Sequence, residues 1–276
     1  MPTYKLPVWE VVKEVYRFVW AARRDLVAIA SVPVLGLTIF ITVMTEVFGA
    51  PGMFTDFRSR AGSEDYLVWP MNIVAMAIYV MFAVAWHRRY LVPGERMTVW
   101  TALRWDARKT RFLLRLIGAS VLGLLVMLAP MALVSVGVST AVHLDGNSSV
   151  ADSVVASMAT GIAGLVLLHL IYGRLFLWLP AAAVDDPTGL RGLWRLGRRN
   201  TWRLFWIVVA VGLPFWFLAI VSIAMPAFLV EPGLTARLIV HLASQAVGYL
   251  GIAITVSALS ASYRRLKDAA PPVPAE

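Results

Sequence analysis

The chain has 276 residues, of which 59% are hydrophobic and 15% are charged, and its mean hydropathy is +0.74. Because soluble domains are about 45–50% apolar and about 25% charged, this composition excludes an ordinary water-soluble domain and indicates that lipid surrounds most of the chain. Cysteine is absent, which excludes disulfides and thiolate chemistry. The net charge of +9 lies at the ends of apolar runs, where membrane orientation explains it better than a nucleic acid partner does.

The first predicted element is the stretch 1–25, which offers no long apolar core, so we expect no cleavable signal peptide. Six later segments reach the length of about 20 apolar residues that a transmembrane helix needs: 26–48, 67–86, 116–138, 154–179, 204–229 and 239–263. The runs are nearly unbroken, so they predict an all-α membrane protein of six transmembrane helices in three hairpins. On the sixth span the small residues Ala253, Ser257 and Ala261 recur at every fourth position and predict close helix packing.

Lysine and arginine predict the orientation of these spans. Of the 25 such residues, 22 lie in the stretches 1–25, 87–115 and 174–203 and after residue 263, whereas the alternate loops hold only Arg58, Arg60 and Arg237. The positive-inside rule then places both termini in the cytoplasm. Since the bias to Arg, Ala and Val is typical of a GC-rich bacterial genome, we predict a multi-pass protein of the bacterial inner membrane.

A plan of about ninety residues recurs three times along the chain. Each copy has an amphipathic stretch, a basic turn, a span, an outer loop and a second span with a basic or aromatic end. The amphipathic stretches "VWEVVKEVYRFVWAARRD", "RMTVWTALRWDARKTR" and "TGLRGLWRLGRRNTWR" predict cytoplasmic interfacial helices with their apolar sides toward lipid. The last two superpose at an offset of 91 residues.

These copies predict a single transmembrane domain over 1–266, with repeats at about 6–90, 95–183 and 186–266 around a pseudo-threefold axis. The alternative is that basic cytoplasmic ends are common to bacterial hairpins and imply no repeat. Residues 267–276 are polar and rich in proline, so we expect a disordered cytoplasmic tail.

Three segments carry a resemblance to known proteins: "AVAWHRRYLVPGE", "LFLWLPAAAVDDPTGLRGLWRLGRRNTWRLF" and the closing "SASYRRL". In these segments the chain resembles a broad group of uncharacterised bacterial six-span inner-membrane proteins. The group includes chains similar to the membrane domain of glycerophosphodiester phosphodiesterases. We expect no soluble phosphodiesterase domain in this chain, so the resemblance implies that any such activity would reside in a separate partner and carries over no catalytic residue.

Polar residues inside the predicted spans are functional candidates because their burial in lipid is costly. His169, Arg174 and Gln245 could contact a ligand or a headgroup, and the alternative is that they form interhelical hydrogen bonds. Asp185 and Asp186 precede Pro187, which predicts that Asp186 caps the following helix. No His is followed by Glu, and "GAS" at 118–120 lacks the glycine of a serine-protease turn, so we expect no catalytic residue, metal or cofactor.

The basic clusters at the ends of the spans predict contacts with anionic lipid headgroups, and orientation alone is the alternative. The candidates are Arg88, Arg89, Arg108, Lys109, Arg198, Arg199, Arg264 and Arg265. We expect a non-enzymatic scaffold or lipid-associated accessory protein, with membrane phospholipids and either a second copy or another membrane protein as partners.

The rival hypothesis is a transporter or channel for a small solute or a lipid. Its site would lie near His169 and the odd-numbered spans, which prolines would bend at Pro33, Pro130, Pro214 and Pro226. An intramembrane enzyme is the third and least supported class.

Overall fold

The computed structural model describes residues 4–48, 68–95, 97–144, 150–224 and 233–270. In these ranges the chain forms ten α-helices and no β-strand, so the predicted all-α class is confirmed. The helices are α1 (Val8–Ala21), α2 (Arg23–Phe48), α3 (Val68–Leu91), α4 (Val99–Leu103), α5 (Ala107–Leu144), α6 (Val150–Leu175), α7 (Trp178–Ala183), α8 (Leu190–Gly197), α9 (Thr201–Ala224) and α10 (Leu234–Asp268).

Five of the described helical segments are long and apolar enough to cross a membrane. Four of them lie in α2, α3, α5 and α10. The fifth, Gly161–Ala183, comprises the second part of α6 together with α7. The described part of α9 contributes a shorter apolar helix over Thr201–Phe215, and the end of the fifth predicted span at 225–229 lies outside the described residues. The chain is therefore a multi-pass helical membrane protein.

Two helices are longer than a bilayer requires. α5 has 38 residues and α10 has 35, so at 1.5 Å per residue they extend roughly 57 Å and 52 Å. A hydrocarbon core is about 30 Å thick, so both helices continue well beyond it. α10 runs to Asp268, and Lys267 and Asp268 therefore belong to a helix, although the sequence predicted a disordered tail from residue 267.

The prolines of the odd-numbered spans do not end their helices. α2, α5 and α9 continue through Pro33, Pro130 and Pro214, and Pro226 lies outside the described residues. A proline inside a membrane helix removes one backbone hydrogen bond without ending the helix where neighbouring elements support it.

The first predicted amphipathic helix is confirmed as α1. Its valines at spacings of three and four are buried on one side: Val11, Val12, Val15 and Val19. This side packs against α9 and α10 rather than against lipid, and the Tyr16 hydroxyl donates to the carbonyl of Val211 at 3.1 Å. The segment before α1 is also held, because the amide of Leu6 donates to Asn200 Oδ1 at 2.8 Å. α1 is thus part of the bundle.

The other two amphipathic stretches are each divided between a short helix and the start of the next span. α4 ends at Leu103 before α5 begins at Ala107, and α8 ends at Gly197 before α9 begins at Thr201. Gly189 is the N-cap of α8, so the prediction that Asp186 caps this helix is wrong. The Asp186 carboxylate instead accepts a hydrogen bond from the Thr188 amide at 2.7 Å, two residues along the chain.

The core is built on α10 and the buried end of α3. Ala253, Ser257 and Ala261 are fully buried, which confirms the close packing predicted for this face. Trp86 of α3 lies against them, and its indole nitrogen donates to the carbonyl of Ala253 at 2.8 Å and to Ser257 Oγ at 2.9 Å. Small side chains on α10 make room for the large indole, and the hydrogen bonds satisfy its only donor.

The long helices contact one another in a ring, and α10 also contacts α3 across it. The two long helices of each hairpin pack together, as α2 with α3, α5 with α6 and α9 with α10. Between hairpins, α3 contacts α5, α6 contacts α9 and α10 contacts α2. The short helices lie at the ends where the basic clusters gather, because α1 contacts α10, α4 contacts α3 and α8 contacts α6.

Candidate functional site

The basic end of the bundle comprises the C-terminal ends of α3, α6 and α10 together with α1, α4, α7, α8 and the start of α5. Five of the arginines predicted to bind lipid there form ion pairs with carboxylates of the protein itself. The pairs are Arg88 with Glu95 at 2.7 Å, Arg89 with Asp25 at 2.6 Å, Arg108 with Asp185 at 2.7 Å, and Arg264 and Arg265 with Glu14 at 2.6 and 2.8 Å. These guanidinium groups are therefore neutralised within the fold.

Glu14 is the centre of the largest of these groups, the Glu14 cluster of Glu14, Tyr90, Arg264 and Arg265. Arg264 Nη2 donates to Glu14 Oε1 at 2.6 Å, and Arg265 donates to Oε2 through Nη2 at 2.8 Å and Nε at 3.0 Å. The Tyr90 hydroxyl also donates to Oε1. Partial burial opposes ionisation, but hydrogen bonds from Tyr90 and Arg265 and the arginine charges outweigh it, so the pKa of Glu14 lies below its ordinary value.

A cleft of about 590 Å³ lies over the Glu14 cluster. Four basic and two acidic side chains line it, together with Tyr90, Phe18 and Ala21. Two of its basic residues, Lys13 and Arg17 of α1, form no ion pair with any described residue. The cleft therefore retains a net positive charge after its internal pairs are counted.

Asp186 is the centre of a second group, the Asp186 cluster of Asp186, Thr188, Tyr263 and Lys267. Lys267 Nζ donates to Oδ2 at 2.9 Å, the Tyr263 hydroxyl donates to the same oxygen, and the Thr188 hydroxyl donates to Oδ1 at 2.5 Å. Burial opposes ionisation here too, but the bonds from Thr188, Tyr263 and Lys267 lower the pKa of Asp186 far below its ordinary value. The cluster fixes the turn before α8 to the end of α10.

Lys109 does not face lipid headgroups. It is almost fully buried, and its ammonium group donates to the carbonyls of Thr101, at 3.2 Å, and Arg104. Its amide is held by Asp106 Oδ1 at 2.9 Å. The residue therefore stabilises the connection between α4 and α5 through these hydrogen bonds.

Arg174, Arg198 and Arg199 differ from the other predicted arginines because none of them pairs with a carboxylate in the described part of the chain. The guanidinium of Arg174 lies over the indole of Trp194, 3.9 Å from the ring centroid, and Nη2 donates to the Trp194 carbonyl at 3.2 Å. Its Nε is buried without a hydrogen-bond partner among those residues. Arg198 is the C-cap of α8 and follows Trp194 by one helical turn, which places it on the same side of α8 as Trp194.

This arrangement suits an oxyanion. A guanidinium binds a carboxylate or phosphate through planar, charge-assisted hydrogen bonds, and an indole beneath it fixes its orientation. A second arginine nearby raises the positive potential that an anion would meet. We call Arg174, Trp194 and Arg198 the Arg174 site.

The other two predicted intramembrane residues are not part of this site. His169 of α6 packs edge-on against Phe205 of α9, with ring centroids 6.3 Å apart. Gln245 is half-buried on α10 and forms no hydrogen bond with the residues that the structure describes. Within the same ranges, no group of three or more His, Asp or Glu side chains is arranged to hold a metal ion.

Sequence reasoning missed the acidic and phenolic partners at the basic end. Tyr90 pairs with Glu14 across 76 residues, and Tyr263 pairs with Asp186 across 77 residues. The available signal is the tyrosine beside two arginines in both "HRRYL" and "SYRRL", a pattern that is also typical of interfacial helix ends. The near-equal separations within the two tyrosine–carboxylate pairs can be recognised only when the structure shows which carboxylate each tyrosine contacts.

In comparisons with known proteins, no family model, curated protein or solved structure matches the chain.

Proposed function

We propose that this chain is a six-span protein of the bacterial inner membrane, with both termini in the cytoplasm. We propose further that its basic end binds anionic phospholipid through the Arg174 site. In this role the protein is a non-enzymatic scaffold or a lipid-associated accessory protein. The distribution of lysine and arginine supports the orientation. A single basic end is supported by ion pairs that join α3 to the start of α2, α5 to the turn after α7, and α10 to α1.

A threefold repeat is part of this proposal, and the ring of helix contacts supports it. The end of the second long helix in each hairpin packs on the short helix that begins the next copy: α3 on α4, α6 on α8 and α10 on α1. The chain thereby closes on itself, since the third copy contacts the first. The phenol–carboxylate pairs of Tyr90 and Tyr263 occupy matching places in the first and third copies.

The repeat allows Arg174 to be compared with the corresponding residue of the third copy. At the offset of 91 residues, Arg174 corresponds to Arg265, and Tyr172 corresponds to Tyr263. Arg265 packs on the next short helix and is neutralised there by Glu14. Arg174 packs on the next short helix as well, but it contacts Trp194 there instead of a carboxylate, and Arg198 follows Trp194 by one turn.

The single observation that carries the proposal is therefore the missing counter-charge at Arg174. A buried guanidinium N–H without a partner is destabilising, and so are two adjacent like charges. A phosphate from the cytoplasmic leaflet would accept from the exposed part of the Arg174 guanidinium and lie beside Arg198, so it would supply the counter-charge that both arginines lack. The site lies at the end of α6, where a headgroup of that leaflet would be found.

The test compares the anionic lipid that three purified proteins retain, measured by native mass spectrometry after exchange into mixed phosphatidylglycerol and phosphatidylcholine. The proteins are the wild type, the double variant R174Q/R198Q and the matched control R108Q/R111Q. Both double variants lose two positive charges, but Arg108 and Arg111 are already paired with Asp185. We expect R174Q/R198Q to retain about tenfold less phosphatidylglycerol, because charge-assisted hydrogen bonds contribute about 1.5–3 kcal/mol.

The control should retain the lipid within about twofold of the wild type. The two arginines that it replaces are already paired with Asp185, and the loss of such exposed ion pairs changes little. Equal losses in both double variants would mean that net charge alone attracts the lipid, and full retention by R174Q/R198Q would remove the Arg174 site from the proposal.

The transport hypothesis remains a second prediction. Its proposed centre, His169, packs edge-on against Phe205 of α9 and does not line the cleft over the Glu14 cluster. Solute uptake by liposomes that carry the protein would test it, and uptake that H169A abolishes would favour transport over a scaffold role.

A further inference from the structure

A cavity of about 280 Å³ lies inside the bundle, between α3, α9, α10 and the α6–α7 region. Its lining on α10 follows one face of the helix from Val247 to Leu259. Twelve residues of helix measure roughly 18 Å, so the cavity is an elongated slot parallel to α10. Most of its lining is apolar, as in sites for small apolar ligands.

One end of the slot carries an unused hydrogen-bond acceptor. His87 lines this end and is fully buried. Its Nδ1 lies 2.7 Å from Ser260 Oγ, and that hydroxyl donates to the carbonyl of Val256 at 2.8 Å. A serine hydroxyl has one hydrogen, so Ser260 accepts from His87 and the ring proton is on Nδ1.

The second ring nitrogen of His87 is therefore an acceptor. Nε2 is buried and has no hydrogen-bond partner among the described residues. Buried polar atoms in native proteins are almost always hydrogen-bonded, so an orphaned acceptor beside a cavity points to a donor supplied by a bound molecule.

The other polar groups of the lining do not supply that donor. The Thr255 hydroxyl donates to the carbonyl of Gly251 at 2.9 Å. Tyr79 lies eight residues before His87 on α3, which places it roughly 12 Å away along the helix axis.

The opposite end of the slot opens beside Gly248. This glycine is exposed, and a Cβ added to it would meet no atom within 4 Å. One turn along α10, a Cβ on Gly251 would lie 3.4 Å from Phe215, so the slot narrows where α9 passes. The two glycines keep the space along α10 free of side chains.

We propose that this slot binds a single-chain alcohol, whose hydroxyl donates to His87 Nε2 and whose apolar chain runs along α10 toward Gly248. A cavity of about 150 Å³ accommodates benzene, so the volume here suits a chain of about ten to twelve carbon atoms. The hydroxyl lies toward the basic end and the chain toward the bilayer centre, which is the orientation of a lipid in that leaflet. The slot is separate from the Arg174 site and does not depend on it.

The test uses photoreactive dodecanol, with a diazirine in its chain, added to the protein in phosphatidylcholine nanodiscs. Labelled residues are mapped by peptide mass spectrometry. We expect labels on α10 between Gly248 and Leu259, and at least about fivefold less labelling with the methyl ether of the same alcohol, which cannot donate a hydrogen bond.

Two glycine variants provide the matched control. Gly248→Leu places a side chain in the mouth of the slot and should reduce labelling at least fivefold. Gly36→Leu adds the same side chain at an exposed glycine of α2 that also has no neighbour within 4 Å, and it should leave labelling unchanged.

His87→Phe keeps the ring and removes the acceptor, so alcohol and ether should label this variant equally. Should this variant fail to fold, the glycine pair and the ether still decide the question. Equal labelling of the Gly248→Leu and Gly36→Leu variants, or equal labelling of the wild type by ether and alcohol, would overturn the proposal.

Discussion

Replacement of Glu14 by glutamine removes one charge at the point where α1, α3 and α10 meet. The carboxylate receives hydrogen bonds from Arg264, Arg265 and Tyr90, and only 23% of its side chain is exposed. Glutamine keeps one oxygen acceptor but places an amide donor against the arginines. The variant thus leaves two guanidinium groups facing a neutral group.

The magnitude follows from these contacts. Hydrogen bonds to charged groups contribute about 1.5–3 kcal/mol each, and removal of one partner from a buried ion pair costs about 3–5 kcal/mol. Because Glu14 keeps some contact with solvent, we expect E14Q to lower the free energy of unfolding by about 2–3 kcal/mol at pH 7.

Glu10 is the matched control on the same helix. Its side chain is 68% exposed, and its one ion pair, with Arg265, is 3.3 Å long. Since exposed pairs contribute little, E10Q should change the free energy of unfolding by less than about 0.5 kcal/mol. Unfolding in detergent micelles, followed by tryptophan fluorescence against denaturant concentration, measures both variants.

Acidification provides a second readout for Glu14. Its pKa is lowered in the folded protein, so its stabilising contribution is complete above the ordinary value of 4.5 and is lost as the pH falls through the lower folded value. The difference between wild type and E14Q should therefore shrink below pH 4.5. Equal stabilities of E14Q and E10Q, or a difference that does not change with pH, would refute this reasoning.

Two packing predictions use the same unfolding measurement. Trp86→Phe loses two hydrogen bonds to α10 and should lower stability by about 1–3 kcal/mol, whereas Trp69→Phe, at a side chain that is 73% exposed, should change it by less than about 0.5 kcal/mol. Gly123→Ala would place its Cβ 2.6 Å from the ring of Tyr172 and should cost about 1–3 kcal/mol. Gly36→Ala has open space and should be neutral or slightly stabilising; equal effects of the paired variants would contradict these assignments.

Features that depend on local pattern were predictable from the sequence. The apolar runs indicated the long helices, and the valine spacing in α1 and the small residues of α10 indicated their buried faces. These patterns reflect the periodicity of a single helix, which the sequence carries directly.

Features that depend on how the hairpins close were not predictable. Arg264 and Glu14 are 250 residues apart, and no local pattern relates them. The place of Asp186 before Pro187 predicts a helix cap, but Tyr263 and Lys267 of α10 bind its carboxylate. The role of His87 could not be recognised either, because its burial beside Ser260 requires α3 and α10 to be neighbours.

The most direct test of the proposed lipid site is a structure determined in nanodiscs that contain phosphatidylglycerol. We predict density for a phosphate within hydrogen-bond distance of Arg174, on the side of Arg198, and none between Arg108 and Arg111, where Asp185 already lies. Phosphate density at Arg108 and Arg111 with none at Arg174, or a carboxylate of the chain bound to Arg174, would contradict it.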